Sequence, residues 1–283
     1  MTKQDSPTDQ QEINIAEDIF KTEEKKLTPQ QEKKQEELFK IHQKKPKIIN
    51  SIVAALILAT VFRSLLFEPF HIPSGSMKPG LIAGDYIFVS KYSFGYSRYS
   101  FPLGLKIFSG RIFAKKPQRG DVIVFKLPKN PKIHYIKRLI GLPGDTVRIK
   151  DSIIYINNKV AVLRTNQYSF KDSQEEYSII SKSYNENLLP EFSKNQEEYQ
   201  VIEQRETLQD NTKEFVIPAD NYFFMGDNRD NSEDSRFETV GFVPFENFVG
   251  KAEIIFFSHQ YSLWNFLKWK EIVTSQRFLK KII

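Results

Sequence analysis

The chain has 283 residues, of which 40% are hydrophobic and 13% aromatic, and this is enough apolar material for a packed core. It has no cysteine, which excludes disulfides, thiolate metal sites and a cysteine nucleophile. The formal net charge of +6 is spread along the chain and is not concentrated in one basic stretch, so the sequence predicts no nucleic-acid partner.

The N-terminal region, residues 1–47, is polar and rich in Gln, Glu and Lys, which predicts a solvated tail that is disordered or loosely helical. An apolar run follows over 48–67, IINSIVAALILATVFRSLLF, with Arg63 as its single charge. A run of this length can cross a bilayer. A buried core helix would show a polar face, and the run is apolar all round from Ile52 to Phe62. The sequence therefore predicts a single transmembrane anchor at 48–67.

The residues on either side of this run predict its orientation. Six lysines lie in the fifteen residues before it, whereas Lys78 is the one lysine in the fifteen after it. The positive-inside rule then places the N-terminus in the cytoplasm. A cleavable signal peptide would begin near residue 1 and end at a small-residue site, but this run ends in Glu68-Pro69. We expect an uncleaved anchor, with the chain from Glu68 onward outside the cytoplasm.

The region 68–260 has the pattern of β structure. Short β-branched and aromatic runs such as DYIFVSKY, DVIVFKL and AEIIFFS alternate with Gly, Pro, Asn and Asp turns, and no long helical period interrupts them. This predicts a mainly β, antiparallel domain. Residues 165–213 are polar and poorly patterned, and we interpret them as an insertion outside the chemistry. Residues 261–283 form an amphipathic tail that either lies on anionic lipid or docks on the β core.

The stretch FHIPSGSMKPGL places two serines, Ser74 and Ser76, in one turn rich in Pro and Gly. A serine becomes a nucleophile only beside a base that takes its proton. Of the four histidines, His71 and His134 stay open as that base, whereas His42 precedes the anchor and His259 has no carboxylate pattern around it. A G-x-S-x-G turn is absent, which disfavours a Ser-His-Asp triad. No H-E-x-x-H or similar ligand pair occurs, so no metal is predicted.

A lysine held neutral by burial is the other possible base. In YIKRLIG, strand alternation places Tyr135 and Lys137 on one face and Ile136 and Arg138 on the other. A lone lysine in this pattern could equally be a surface residue of an edge strand. A third stretch, MGDNRDNSEDSR over 225–236, interleaves two arginines with four acids and predicts a fixed polar network that supports neighbouring groups.

Taken together, the motifs IPSGSMKPGLIAGD, RGDVIVFK, YIKRLIGLPGD and GDNRDNSEDSR resemble those of the type I signal peptidases and occur in the order found in that family. These are membrane-anchored serine proteases with a Ser/Lys dyad, and they remove signal peptides from exported proteins. The resemblance covers roughly residues 67–250 and leaves out the N-terminal tail and the 165–213 insertion.

The resemblance implies a role for each matching residue. Ser76 would be the nucleophile and Lys137 the general base, while the Ser76 backbone N–H and the Ser74 hydroxyl would form the oxyanion hole. Ser232 would hydrogen-bond Lys137 and orient it. The supporting ion pairs would be Asp234 with Arg236 and Asp227 with Arg138. The residues that resemble the lining of the shallow substrate pockets, which accept small side chains such as Ala, are Ile72, Met77, Leu81, Tyr135 and Ile136.

The implied function is a membrane-bound serine endopeptidase without cofactor or metal, whose partners are signal-peptide-bearing preproteins and membrane lipid. The implied location is the bacterial inner membrane, with the catalytic domain on the periplasmic side. One alternative is the self-cleaving Ser/Lys domain of SOS-type repressors, which predicts a helix-turn-helix where this chain has an apolar run. The other is an inactive tethered β scaffold that binds extended peptides and would tolerate loss of Ser76 or Lys137.

Overall fold

The structure, a computed structural model, describes residues 28–100, 110–171, 180–194, 197–258 and 277–283. The chain divides into two compact units, Met1–Leu58 and Ala59–Ile283. Helix α1 spans Pro29–Leu65, and the strands in chain order are β1 Phe67–His71, β2 Asp85–Ser90, β3 Tyr96–Ser97, β4 Arg111–Ile112, β5 Val122–Leu127, β6 Asn130–Gly141, β7 Thr146–Lys150, β8 Ile153–Ile156, β9 Lys159–Val160, β10 Val162–Lys171, β11 Ile180–Leu188, β12 Tyr199–Glu203, β13 Phe215–Val216, β14 Asn221–Met225, β15 Val243–Pro244, β16 Phe248–Ser258 and β17 Lys280–Lys281.

Helix α1 begins with a favourable N-terminal arrangement. Thr28 precedes it, Pro29 occupies the first helical position, and the Thr28 backbone N–H donates to Gln31 Oε1 at 3.0 Å. The predicted anchor over 48–67 is not found with these bounds. The helix begins inside the predicted tail, and Phe67 belongs to β1 because its backbone pairs with Ser90. Among the residues that the structure describes, no helix is both long enough and apolar enough to cross a membrane.

The second unit is built on one large antiparallel sheet in the strand order β1-β2-β16-β5-β6-β14-β15, with β17 added beside β16. Smaller sheets are formed by β10-β11-β12, by β13-β7-β8-β9 and by β3-β4. Every strand pair in these sheets is antiparallel. The prediction of a mainly β, antiparallel fold is therefore confirmed.

Strand β5 shows how the sequence builds the core. Val122 and Val124 belong to one apolar cluster, whereas Ile123 and Phe125 belong to another. Successive residues of a strand point to opposite faces of the sheet, so a continuous apolar run such as VIVF fills both sides. The main sheet is consequently packed on both faces along β5.

The predicted insertion, residues 165–213, contributes most of the β10-β11-β12 sheet, apart from 172–179 and 195–196, which lie outside the described residues. Its interior includes the apolar residues Val201 and Ile202 and one carboxylate, Glu186, all fully buried. Most of the predicted amphipathic tail, 261–276, also lies outside the described residues. The rest of that tail, from Arg277 onward, supplies β17.

Candidate active site

Ser76 lies in the turn that connects β1 to β2. The base of this turn is closed by a hydrogen bond from the Ile72 backbone N–H to the Asp85 carbonyl at 2.8 Å. Met77 and Leu81 pack underneath it, with 1% and 2% of their surface exposed. Because buried apolar groups on both sides of the serine are locked in the core, the backbone position of Ser76 is fixed by packing.

Lys137 lies in β6, where its backbone pairs with Ile123 of the neighbouring strand β5. Its Nζ donates a hydrogen bond to Ser76 Oγ at 2.5 Å, and the two residues are only 4% and 8% exposed. The Ser74 and Ser76 hydroxyl oxygens are 3.4 Å apart, and either can be the donor. The structure therefore brings Ser74, Ser76 and Lys137 together from two distant parts of the sequence.

The environment of Lys137 raises the fraction of its amine that is neutral. Burial lowers its pKa, and although the negative charges of Asp234 and Asp227 act in the opposite direction, the pKa falls to about 8. The cation that helps to lower it is Arg236. A neutral amine can accept the proton of a serine hydroxyl, whereas the ammonium form cannot. The site thus supplies the property that a lysine needs to act as a base.

The loop after β14 encloses this pair with two buried ion pairs. Arg138 Nε and Nη2 bind the Asp227 carboxylate at 2.8 and 2.7 Å. Arg236 Nε and Nη2 each bind Asp234 at 2.9 Å, and the Gly226 backbone N–H donates to the same carboxylate at 2.9 Å. Two-point contacts between guanidinium and carboxylate fix orientation as well as distance. Both ion pairs expected from the sequence are thus present.

The expected hydrogen bond from Ser232 to Lys137 is not formed. Among the described residues, Ser232 Oγ is buried without a hydrogen-bond partner, and Lys137 Nζ points to Ser76. Ser232 instead packs against Gly226, where an added Cβ would lie 2.2 Å from Ser232 Oγ and 2.6 Å from the Ser76 carbonyl oxygen. The loop approaches the nucleophile turn so closely that only glycine fits at position 226.

Asn228 is a site residue that the sequence analysis missed. Its backbone N–H donates to the Ser76 carbonyl at 3.1 Å, and its Nδ2 donates to the Gly75 carbonyl at 3.1 Å. Asn is typical of turns, so its residue type alone does not indicate a role in the site. Its place between Asp227 and Arg229, within the matching motif, was the available signal.

Arg229 also has a partner that the sequence analysis did not find. Its guanidinium binds Glu186, a carboxylate in the region interpreted as a polar insertion. The sequence analysis predicts a polar network in the 225–236 stretch and names a partner for Arg236 but none for Arg229. The one available signal was indirect: a buried arginine needs an acidic partner, and the 225–236 stretch does not supply one for Arg229. Nothing in the sequence singles out Glu186 as that partner.

The proposed pocket residues have two different environments. Ile72, Met77, Leu81 and Ile136 belong to one buried core cluster, so in this structure they support the nucleophile turn from below. Tyr135 stays partly exposed, and its hydroxyl donates to Glu233 at 2.8 Å. Of the five, Tyr135 is therefore the one with surface to offer a substrate.

The two histidines that the sequence left open have aromatic neighbours. The ring of His71 lies 4.9 Å from that of Tyr86, and the ring of His134 lies 5.2 Å from that of Phe70. The basic group in hydrogen-bond contact with Ser76 Oγ is Lys137. Within the described part of the chain, no cluster of three or more His, Asp or Glu side chains could hold a metal ion.

A buried serine hydroxyl in contact with a lysine amine of lowered pKa, on an antiparallel β scaffold, defines the class of a serine hydrolase with a Ser/Lys pair. The family model described as signal peptidase, peptidase S26, matches residues 45–257. This chain belongs to that family, the type I signal peptidases, and is a serine endopeptidase.

Curated relatives carry the same family name. A signal peptidase I of Rickettsia massiliae is 44% identical over 218 residues, which are 76% of this chain and 80% of the relative. That of Rickettsia typhi is 43% identical over 217 residues, covering 76% of this chain and 81% of the relative. A crystal structure of a signal peptidase I from Enterococcus faecalis has 32% sequence identity and covers 48% of this chain and 97% of its own, with a TM-score of 0.26.

Proposed function

We propose that this chain removes N-terminal signal peptides from exported preproteins, with Ser76 as nucleophile and Lys137 as general base. The observation that carries the proposal is the 2.5 Å contact between Lys137 Nζ and Ser76 Oγ in a buried site. The curated relatives named signal peptidase I support the choice of substrate.

The neutral Lys137 amine accepts the Ser76 hydroxyl proton as Oγ attacks the scissile carbonyl carbon. The resulting tetrahedral intermediate collapses when the ammonium of Lys137 returns this proton to the leaving amine, which breaks the peptide bond and leaves an ester on Ser76. A water molecule, deprotonated by the same amine, then hydrolyses the ester and regenerates the serine.

The negative oxygen of the intermediate requires hydrogen-bond donors. We assign this role to the Ser76 backbone N–H and the Ser74 hydroxyl, whose oxygen lies 3.4 Å from Ser76 Oγ. The bonds from Asn228 to the Gly75 and Ser76 carbonyls support this assignment because they orient the peptide unit that carries the Ser76 N–H.

We assign selection of small side chains before the scissile bond to the partly exposed surface of Tyr135, with the buried residues Ile72, Met77, Leu81 and Ile136 supporting the nucleophile turn. Ser232 keeps a supporting role, through its packing against Gly226. The catalytic unit needs neither metal nor cofactor, because proton transfer and charge stabilisation come from the chain itself.

We further propose that the apolar run 48–67 attaches the enzyme to the bacterial inner membrane, with residues 1–47 in the cytoplasm and the catalytic domain, 68–260, on the periplasmic side. In its described part the run exposes several large apolar side chains, including Leu56 at 62% and Leu58 at 70%. Such surface is unfavourable in water and suits contact with lipid. Extraction of cell membranes at alkaline pH tests this, because recovery of the protein in the soluble fraction would contradict it.

The test of activity is incubation of the detergent-solubilised full chain with a preprotein that has an Ala-x-Ala site, followed by mass determination of the new N-terminus. Ser76→Ala and Lys137→Ala should each abolish cleavage, and the double variant should be hardly worse because the two residues act as a unit. Lys132→Ala, at an exposed position of the same strand, is the matched control. Retention of about a tenth of wild-type turnover by Ser76→Ala would refute the mechanism.

A further inference from the structure

Glu186, in β11, is a buried carboxylate at the centre of an ionic cluster. It is 0% exposed and accepts hydrogen bonds from Arg229 Nη1 at 3.0 Å, Arg164 Nε at 2.9 Å and the Tyr199 hydroxyl at 2.9 Å. Burial alone would raise its pKa, but the charges of Arg229 and Arg164 lower the pKa to about 2. Glu186 is therefore ionised at neutral pH and pairs with two arginines, of which Arg164 also pairs with Glu203.

Arg229 belongs to the loop after β14, so Glu186 ties that loop to the β10-β11-β12 sheet. The backbone strengthens the same junction: the Arg229 N–H donates to the Ile202 carbonyl at 2.9 Å, and the Ile202 N–H donates to the Asp227 carbonyl at 2.9 Å. The side chain of Glu186 thus fixes the segment 227–229 to β11, and two backbone hydrogen bonds fix it to the edge strand β12.

The same three-residue segment contacts the nucleophile turn and the residue next to Lys137. Asn228 holds the carbonyls of Gly75 and Ser76, and Asp227 binds Arg138, the neighbour of Lys137 in β6. The Arg138 guanidinium also lies 3.7 Å from the centre of the Tyr199 ring, whose hydroxyl donates to Glu186. The segment 227–229 is therefore the shared support of the nucleophile turn and of the strand that carries the base.

We propose that Glu186 is a positioning residue for the reaction: by fixing Arg229 it fixes the segment 227–229, and with it the distance between Ser76 Oγ and Lys137 Nζ. This inference rests on the proposed roles of Ser76 and Lys137. Without the carboxylate, Arg229 would remain as a buried charge lacking its partner and would move to regain solvent or another acid. Displacement of a catalytic group by about 1 Å can lower the rate about 100-fold.

Glu203 provides a matched control in the same sheet. It lies at the end of β12, its side chain is 15% exposed, and it pairs with Arg164 Nη1 at 2.7 Å. Glu186 and Glu203 therefore share Arg164, but Glu186 also binds the guanidinium of Arg229. Replacing either residue by glutamine removes one negative charge from the same sheet. Only Glu186→Gln also removes the ion pair with Arg229 in the loop after β14.

The experiment measures kcat and KM of the full chain in detergent on an Ala-x-Ala preprotein, at a temperature below the melting transition of every variant. Glu186→Gln should lower kcat about 10- to 100-fold with little change in KM, since the substrate surface at Tyr135 is untouched. Glu203→Gln should stay close to the wild-type kcat, and Glu186→Asp, which keeps the charge, should recover part of the loss.

The pH profile of kcat/KM distinguishes an effect of Glu186 on the position of the catalytic groups from an effect of its charge on the pKa of Lys137. The charges that set the pKa of Lys137 are those of Asp234, Asp227, Arg236 and Glu233, so Glu186→Gln should lower the plateau of kcat/KM and leave its acid midpoint in place. A moved midpoint with a normal plateau would overturn the proposal.

Other outcomes are equally decisive. Equal losses of kcat in the two glutamine variants at equal melting temperatures would reduce the effect to general destabilisation and overturn the proposal. If Glu186→Gln does not fold, Glu186→Asp replaces it in the comparison. A kcat of Glu186→Asp equal to that of the wild type would then contradict the proposal.

Ser76→Ala in the same assay distinguishes failure of the proposed function from failure of the role proposed for Glu186. Activity in that variant contradicts the proposed function, whereas its inactivity beside a fully active Glu186→Gln contradicts only the role of Glu186.

Discussion

The lowered pKa of Lys137 makes a quantitative prediction about pH. A lysine with a pKa of about 8 is neutral in about 9% of molecules at pH 7 and about 91% at pH 9. With an ordinary pKa of about 10.4, the neutral fraction at pH 7 would be about 200-fold smaller. If the neutral amine is the base, kcat/KM should rise about tenfold from pH 7 to pH 9 and level off above that.

The assay is kcat/KM between pH 5 and pH 10 on a substrate whose own groups do not titrate in this range. An ordinary lysine would give a rise of nearly 100-fold between pH 7 and pH 9, with no plateau. Glu233→Gln adds a check of sign: the negative charge of Glu233 raises the pKa of Lys137, so its removal should move the acid midpoint to lower pH. A midpoint near 10, or a flat profile, would show that Lys137 is not the base and return His71 and His134 to consideration.

Two further variants test the supports of the nucleophile turn. Gly226→Ala should lose almost all activity, because the new Cβ would lie 2.6 Å from the Ser76 carbonyl oxygen and push the loop and turn apart; wild-type kcat would contradict the close approach. Arg277→Ala should lower the melting temperature more than Lys281→Ala, because Arg277 pairs with the fully buried Asp85 at the base of the turn whereas Lys281 forms an exposed ion pair. Equal shifts in melting temperature would contradict this ranking.

The sequence was sufficient for the parts of the fold and site that depend on local pattern. The alternation of apolar and polar residues and the turn residues predicted antiparallel β structure, because the pattern of a strand lies in residues that are consecutive in the sequence. The proximity of Ser76 and Lys137, 61 positions apart, could not come from such a pattern. It was predicted from the resemblance, in which the motifs occur together because the family folds them into one site.

Pairs of side chains that are distant in the sequence could not be predicted from it. Glu186 and Arg229 are 43 positions apart, and many other acids in the chain could equally have paired with this arginine. The start of α1 was missed for a different reason: Thr28 and Pro29 form a helix start signal within a segment whose composition is otherwise typical of a disordered tail. The composition of the whole segment indicated a tail, although the residues Thr28 and Pro29 alone indicate the start of a helix.

The burial that makes Lys137 a base should also make it a source of instability. The pKa of Lys137 falls from 10.5 in the unfolded chain to about 8 in the folded site, and at about 1.4 kcal/mol per pH unit this difference corresponds to a free energy of about 3 to 4 kcal/mol. Below pH 8 the lysine is protonated in both states, so the folded protein bears the full penalty of a buried ammonium. As the pH rises from 8 towards 10.5, the folded form loses its proton first and the penalty disappears.

Lys137→Met, which keeps an unbranched side chain without the charge, should therefore raise the melting temperature at pH 7 while abolishing cleavage. Loss of the hydrogen bond to Ser76 will offset about 1 kcal/mol of this gain. The advantage over wild type should shrink between pH 8 and pH 10, and melting curves of the full chain in detergent at pH 7 and pH 10 measure this change. A methionine variant that is less stable at pH 7, or whose advantage does not change with pH, would mean that Lys137 is not buried as an ammonium in the resting enzyme. A functional residue that destabilises its own fold is expected where catalysis requires a charge-bearing group to be deprived of water.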